Sequence, residues 1–391
     1  FTSLRGYSPE NYFTYLYEGT SDAAKRFRWD YYKTLGELMS ANYSGQLGEW
    51  CGENNVSLTG HFLLEEDIYM HPVFNGNIMR NLSNMQMPGI DLLTANPSTA
   101  VNWCATTAKF ASSAAHFGGK SKVMSEVSAA FDAVETDNMY AKLGSIAVQY
   151  AMGVNQIGTF YRPHLMSEED NRLFADTIGR MGYMLDGGIH ESSVAVYYPI
   201  EGVYVDTLPP EHLNKFNENV RATSSNFSNL TRTLVGNQID YDILDYVNLD
   251  ACKVEGGALV TPSGERFTAI VISRTKALEY ETVNKLVEAV NGGVRVIMQN
   301  TDDILSNTAG GQAELTQKLG QIRANPNCTE AQSVSAISDA LREMGVKSVV
   351  LEDDNRDIVA VKHKFKNNSV FMFVNTTSEN AKIKVRLNEV G

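Results

Sequence analysis

Apolar residues recur at helical spacing early in the chain. Phe27, Tyr31, Leu35, Leu38, Leu47 and Trp50, with polar residues between them, predict a helix over 23–54. Beyond it the period alternates. Val56 to Phe62 reads as a strand, 75–86 as a helix, Gly89 to Thr94 as a strand, and 99–117 as an Ala- and Ser-rich helix. Lys122 to Glu126 then reads as a strand, 136–152 as a helix and Val154 to Tyr161 as a strand. A helix over 167–185 follows, capped by Ser167 with Glu168, Glu169 and Asp170 in its first turn. Strands joined by helices run parallel and are buried on both faces, which accounts for short apolar runs such as Gly89-Ile90-Asp91-Leu92-Leu93. A closed eight-stranded barrel takes about 250 residues, and only about 185 precede the next change of pattern. The first region is therefore an open sheet or the second half of a barrel.

Gly187-Gly188 ends that series and a second alternation begins. Strands are predicted at Val194 to Tyr198, Ile239 to Leu244, Phe267 to Ser273 and Val294 to Gln299, with another near Ser348. Helices are predicted over 209–236, 278–291, 311–322 and 331–344. The layout is that of a flavodoxin-like domain. From Asp357 the period becomes two: Ile358 to His363 and Ser369 to Asn375 flank a Lys366-Asn367-Asn368 turn, and Ala381 to Leu387 offers a third strand. Three units follow: 1–190, 191–355 and 356–391, the last being the start of a β domain.

The 391 residues are 43% hydrophobic and 20% charged, an ordinary globular composition. Lys plus Arg is 33 against 46 for Asp plus Glu, a formal charge of -13, which disfavours a nucleic-acid partner. No apolar run is long enough to span a bilayer. Cys51, Cys104, Cys252 and Cys328 are too scattered for a zinc ribbon or a CxxC redox motif and read as reduced thiols. No metal site or cofactor is assigned. The acid density near Glu65 would permit calcium, but its spacing matches no calcium loop.

In a parallel barrel the reacting groups sit at the C-terminal ends of strands. Here those ends are polar: His61 with Glu65, Glu66 and Asp67; Asp91; Glu126; and Tyr161 with Arg162 and His164. Each has an alternative. The three acids after His61 are also what a solvated loop before a helix carries, His61 could be a structural histidine, and Asp91 could hold a neighbouring loop. Glu126 points more firmly to chemistry, because it closes an apolar strand and small residues follow it. Phe131, Phe160, Tyr161, Tyr197 and Tyr198 could wall a sugar site or fill the core. Paired carboxylates at strand ends are the apparatus of glycoside hydrolysis, one donating a proton and the other attacking or activating water. The chain has no GxGxxG, P-loop, HExxH or GxSxG to compete with that reading.

Trp50-Cys51, Leu58-Thr59-Gly60-His61-Phe62-Leu63-Leu64-Glu65-Glu66, Met79-Arg80, Met87-Pro88-Gly89-Ile90-Asp91 and Val123-Met124-Ser125-Glu126 resemble a large bacterial group of barrel glycosidases. These are related to the α-L-rhamnosidases of glycoside hydrolase family 106 and, more distantly, to the family 42 β-galactosidases. The resemblance covers most of the chain, and Gly60 to Glu66 is its most specific part. Val194-Ala195-Val196-Tyr197-Tyr198-Pro199-Ile200 resembles the start of the class I amidotransferase-like domain that follows the barrel in those enzymes, although no cysteine stands where a nucleophile would. The resemblance implies that residues 1–190 hold barrel strands five to eight, with the proton-donating Glu expected after strand four lying upstream of Phe1. It implies Glu126 as nucleophile or base. Glu66 or Glu65 is the alternative second carboxylate, with His61, Glu65, Asp91, Tyr161, His164 and Tyr198 as substrate contacts.

The expected protein is a glycoside hydrolase, α-L-rhamnosidase-like, acting on a carbohydrate substrate, of bacterial origin and either cytoplasmic or exported. The rivals are a non-catalytic carbohydrate-binding or scaffold protein on a degraded barrel and a flavodoxin-like small-molecule binder. Half a barrel leaves strand edges unpaired, so the 391 residues alone are expected to self-associate, a homo-oligomer being compatible, and to lack activity.

Overall fold

The computed structural model describes all residues except 131, 133–137, 163, 165, 210–216, 309, 347, 348 and 388–391. Ser21 opens the first long helix by accepting the Ala24 N–H, and Asp22 stands in its first turn. The helix runs Asp22–Met39, widens into a π-turn at Ser40–Gly45 and resumes as Gln46–Glu53. The wide turn has a cause. Asn84 reaches in to donate to the Ser40 carbonyl at 2.8 Å, a side-chain insertion of the kind that opens a helical ladder. Phe27, Trp29 and Tyr32 are buried, whereas Leu35, Leu38, Tyr43, Leu47 and Trp50 form an exposed apolar stripe on the same helix.

Strands β1 (Gly89–Leu92), β2 (Met124–Val127) and β3 (Gln156–Thr159) form a parallel sheet in that order. The predicted strand Val56 to Phe62 is not one. It runs beside β1 with the Met87 N–H donating to the Leu58 carbonyl, but the N–H groups of Phe62 and Asp91 both go to the Glu65 carboxylate, which stands in for a ladder partner. Gly60 lies so close that a Cβ on Gly89 would sit 2.4 Å from its carbonyl oxygen, so β1 must begin with glycine there. Helices Pro97–Cys104, Thr107–Phe117, Met139–Ala151 and Glu168–Leu185 carry the chain between and after these strands.

Strand β4 (Ile189–His190) precedes a second parallel sheet begun by β5 (Val194–Tyr197) and β6 (Asp242–Leu244). An antiparallel meander of β7 (Lys253–Glu255), β8 (Ala258–Val260) and β9 (Arg266–Phe267) intervenes, its first turn made by Gly256 and Gly257 at positive φ. The sheet is completed by β10 (Ala269–Ile272), β12 (Arg295–Met298) and β14 (Cys328–Glu330), with β11 (Ala277–Leu278) and β13 (Leu305–Ser306) paired beside it. Its order, β14-β12-β10-β5-β6, is the 2-1-3-4-5 order of flavodoxin-like sheets when the five strands are counted along the chain. Alternate residues of β5 serve opposite layers. Val194 and Val196 join the core shared with the first region, while Ala195 and Tyr197 join a second core on the far face.

The expected third strand after the hairpin is placed differently. Strand β15 (Val349–Leu351) pairs with β18 (Val385–Leu387), whereas β16 (Ile358–Lys364) and β17 (Ser369–Asn375) form the predicted hairpin and β4 takes the other edge of β16. Phe131, Ser348 and the predicted helix positions 136, 137 and 210–216 lie outside the described residues.

Just past β5, Glu201 is fully buried and accepts the Tyr197 hydroxyl, while Lys33 of the first helix pairs with Glu279 at 2.6 Å. Burial, with repulsion from Glu279, raises the Glu201 carboxyl from 4.5 to about 8. A raised carboxyl binds its proton more tightly folded than unfolded, so its stabilising contribution is complete below pH 4.5 and disappears as pH rises through 8. Urea midpoints should fall across that window, and Glu201→Gln should flatten the fall. An undiminished fall in the variant would place the titration on another group.

Candidate active site

Parallel pairing sets Asp91 of β1 opposite Glu126 of β2, and Glu126 opposite Gly158 of β3. Neighbours in register share a face, so the two carboxylates stand side by side while Ile90, Leu92, Ser125 and Val127 turn into the core. Gly158 adds no side chain, and a Cβ built there would meet nothing closer than 3.9 Å. The third register position is therefore open. His61 crosses the gap, its Nδ1 at 3.7 Å from Asp91 Oδ2 and its Nε2 at 3.6 Å from Glu126 Oε2. All three side chains keep partial access to solvent.

The three acids after His61 take different places. Glu65 is fully buried and binds the backbone N–H groups of Phe62 at 3.2 Å and Asp91 at 2.9 Å. Burial lifts its carboxyl well above the usual range, with Asp91 pushing the same way. It fixes the loop against β1 and thereby aims Asp91. Glu66 is only partly buried. Burial raises its carboxyl as well, helped by the charges of Asp91 and Asp67 and opposed by its own backbone N–H and by His61. Asp67 is raised by burial, with Arg232 opposing. Asp91 is raised by burial first, and Glu126 adds to the shift. Glu65, Glu66, Asp67 and Asp91 are thus all shifted in the same direction, chiefly by burial.

The remaining predicted contacts divide. Tyr161 is buried, with its hydroxyl donating to the Thr94 carbonyl at 3.3 Å and its ring edge-on to Phe174. Tyr198 is fully buried, its hydroxyl 2.5 Å from His71 Nδ1 and its ring against Phe110. Neither presents a free face to a ligand, which corrects their reading as sugar walls. Tyr197 is likewise core. His164 and Phe160 are exposed after β3, on the rim.

Asp132 was not singled out in the sequence. Its carboxylate accepts from Thr94 Oγ1 at 2.6 Å and the Ala95 N–H at 2.8 Å, tying the loop after β2 to the end of β1. The only sequence signal for it was an acid six residues after Glu126 among small residues. Among the described residues, the grouping of His, Cys, Asp and Glu close enough to hold a metal lies elsewhere, at His116, His190 and Asp242.

Two parallel sheets whose strands are joined by helices, the second in flavodoxin order, define an α/β architecture. Residues 1–157 match the glycoside hydrolase 106 family, described as alpha-L-rhamnosidase. The fold matches a rhamnosidase from Novosphingobium sp. PP1Y with a TM-score of 0.70 at 21% identity, over 96% of this chain and 37% of that one. It also matches Gan42B, a family 42 β-galactosidase of G. stearothermophilus, at TM-score 0.66 and 11% identity, over 95% of this chain and 65% of that one. A curated Formosa agariphila protein provisionally named beta-glucuronidase is 23% identical over 424 residues, covering 99% of this chain and 32% of its own length. Residues 1–157 are thus similar to the glycoside hydrolase 106 family, the fold is shared with that rhamnosidase and that β-galactosidase, and the chain spans about a third of the length of the rhamnosidase and of the curated relative.

Proposed function

We propose that this chain carries catalytic carboxylates of a glycoside hydrolase that cleaves O-glycosidic bonds, with rhamnosides the leading substrates and galactosides next. The observation that carries the reading is the Asp91–Glu126 layer bridged by His61. Glu126 faces the open position beside Gly158, where an anomeric carbon would approach, and acts as nucleophile or base. Glu66, whose carboxyl holds its proton more tightly than usual, is suited to give that proton to the leaving oxygen. Asp91 and His61 bind sugar hydroxyls, and Glu65 positions Asp91.

In this reading β1 to β3, with the segment beside them, belong to the second half of a (β/α)8 barrel. Residues 191–355 form an amidotransferase-like domain that has lost any nucleophile: Cys252 is buried at the end of a short helix, and Cys328 opens β14, its thiol raised by burial to about 11. The hairpin of β16 and β17 joins β4 and packs on the shared core.

The test is hydrolysis of aryl α-L-rhamnoside, β-galactoside and β-glucuronide by the full-length protein. Turnover is expected on the rhamnoside first. Saturable binding of the sugars without release of the aryl group on any of them would favour the carbohydrate-binding alternative.

A further inference from the structure

At the opposite, N-terminal ends of β2 and β3 lies a second cluster that the glycosidase reading does not use. His116 leaves the helix Thr107–Phe117, His190 sits on β4, Asp242 on β6 and His363 on β16. The His116 and His190 rings stack 4.3 Å apart, and both aim a nitrogen at Asp242: His116 Nδ1 is 3.0 Å from Oδ1 and His190 Nδ1 is 3.5 Å from Oδ2. One donor atom from each of the three lies within 4.8 Å of the others. Around a tetrahedral zinc, donor atoms stand about 3.4 Å apart.

The orientation of His190 is the telling feature. Its Nε2 lies 2.5 Å from Asp240 Oδ2, and a carboxylate can only accept, so Nε2 carries the hydrogen. Its Nδ1 is buried, with no hydrogen-bond partner, and faces Asp242. A histidine that gives one N–H to a carboxylate and points the other nitrogen inward is the arrangement of metal-bound imidazoles. Asp242 is steadied by Ser113 Oγ at 3.1 Å, and Lys109 lies 3.0 Å from Asp240 and 3.6 Å from Asp242. A cavity of about 330 Å³, lined by His116, His190, His363 and Glu265, leads to the cluster. Both ring nitrogens of His363 are buried without partners, 6.4 Å from His190 between ring centres.

We propose that His116, His190 and Asp242 bind one transition-metal dication of the zinc class, with His363 or a water from the cavity as fourth ligand. Nitrogen-rich donors with a single carboxylate suit zinc rather than calcium or magnesium. The three ligands and His363 come from four segments far apart in sequence, so the ion would fasten the first region, the second sheet and, through His363, the hairpin together.

The test is cobalt and zinc binding by the untagged, metal-stripped chain. One equivalent of zinc should survive dialysis, cobalt should give the intense visible absorption of a tetrahedral site, and zinc should raise the melting temperature by several degrees. Asp240→Asn, which touches no metal, should weaken zinc binding by about 10- to 100-fold, and His116→Gln by more. Wild-type chain that retains no zinc and gives no intense cobalt band would overturn the proposal and leave a hydrogen-bonded ion network. So would bound metal whose affinity is unchanged in folded His116→Gln and Asp240→Asn.

Discussion

Glu126→Gln in the full-length protein is expected to lower kcat/KM on an aryl glycoside by about 10²- to 10⁴-fold, the range lost when a positioned acid, base or nucleophile is removed. The substitution preserves volume and an acceptor oxygen while deleting the charge. Glu126 is not a structural keystone: its side chain keeps partial solvent access and faces His61 across the site. The melting temperature should therefore stay near that of the wild type. Near-normal turnover in the folded variant would remove Glu126 from the chemistry and leave Glu66 as the preferred base, since Glu65 is buried and occupied by two backbone N–H groups.

Glu66→Gln is expected to produce a loss that depends on the leaving group. A proton donor matters most when the departing oxygen is basic, so kcat/KM on an alkyl or unsubstituted phenyl glycoside should fall about 10²-fold or more, with little change on a dinitrophenyl glycoside. The pH profile supplies the sign. Burial and the charges of Asp91 and Asp67 raise the Glu66 carboxyl, so the protonated donor persists to higher pH than an ordinary glutamate, and its deprotonation forms the basic limb of activity. The variant, assayed on the activated substrate, should lose that limb. An equal loss on every leaving group, with the limb intact, would make Glu66 a sugar-hydroxyl ligand and assign the acid to another residue.

Much of the architecture was legible because parallel strands buried on both faces leave short apolar runs that loops and helices punctuate. Gly89 to Leu92 and Val194 to Tyr197 are of this kind. Val56 to Phe62 carries the same pattern but is not a strand, because a side chain, Glu65, took the hydrogen bonds a neighbouring strand would have taken. The meander from Lys253 to Phe267 was missed although Gly256-Gly257 marked its turn. The partner of β18 was not legible, since three exposed residues do not encode which edge they join.

The site follows the same division. His61, Asp91 and Glu126, read separately from strand ends, converge because the parallel register puts Asp91 beside Glu126. Tyr161 and Tyr198 stand equally close to strand ends in sequence, yet burial takes both into the core, and periodicity alone does not tell which layer an aromatic at a strand end will join. The His116, His190, Asp242 and His363 cluster had no motif to reveal it, since its members are brought together only by packing of the two sheets and the hairpin.

The most direct measurement is chemical rescue of Glu126→Ala in the full-length protein. With the carboxylate gone, the space beside Gly158 admits a small anion. Azide is expected to restore turnover of an activated aryl glycoside and to yield a glycosyl azide, whose anomeric configuration distinguishes a displaced nucleophile from a displaced base. A folded Glu126→Ala protein that hydrolyses the substrate at the wild-type rate without azide would contradict the account.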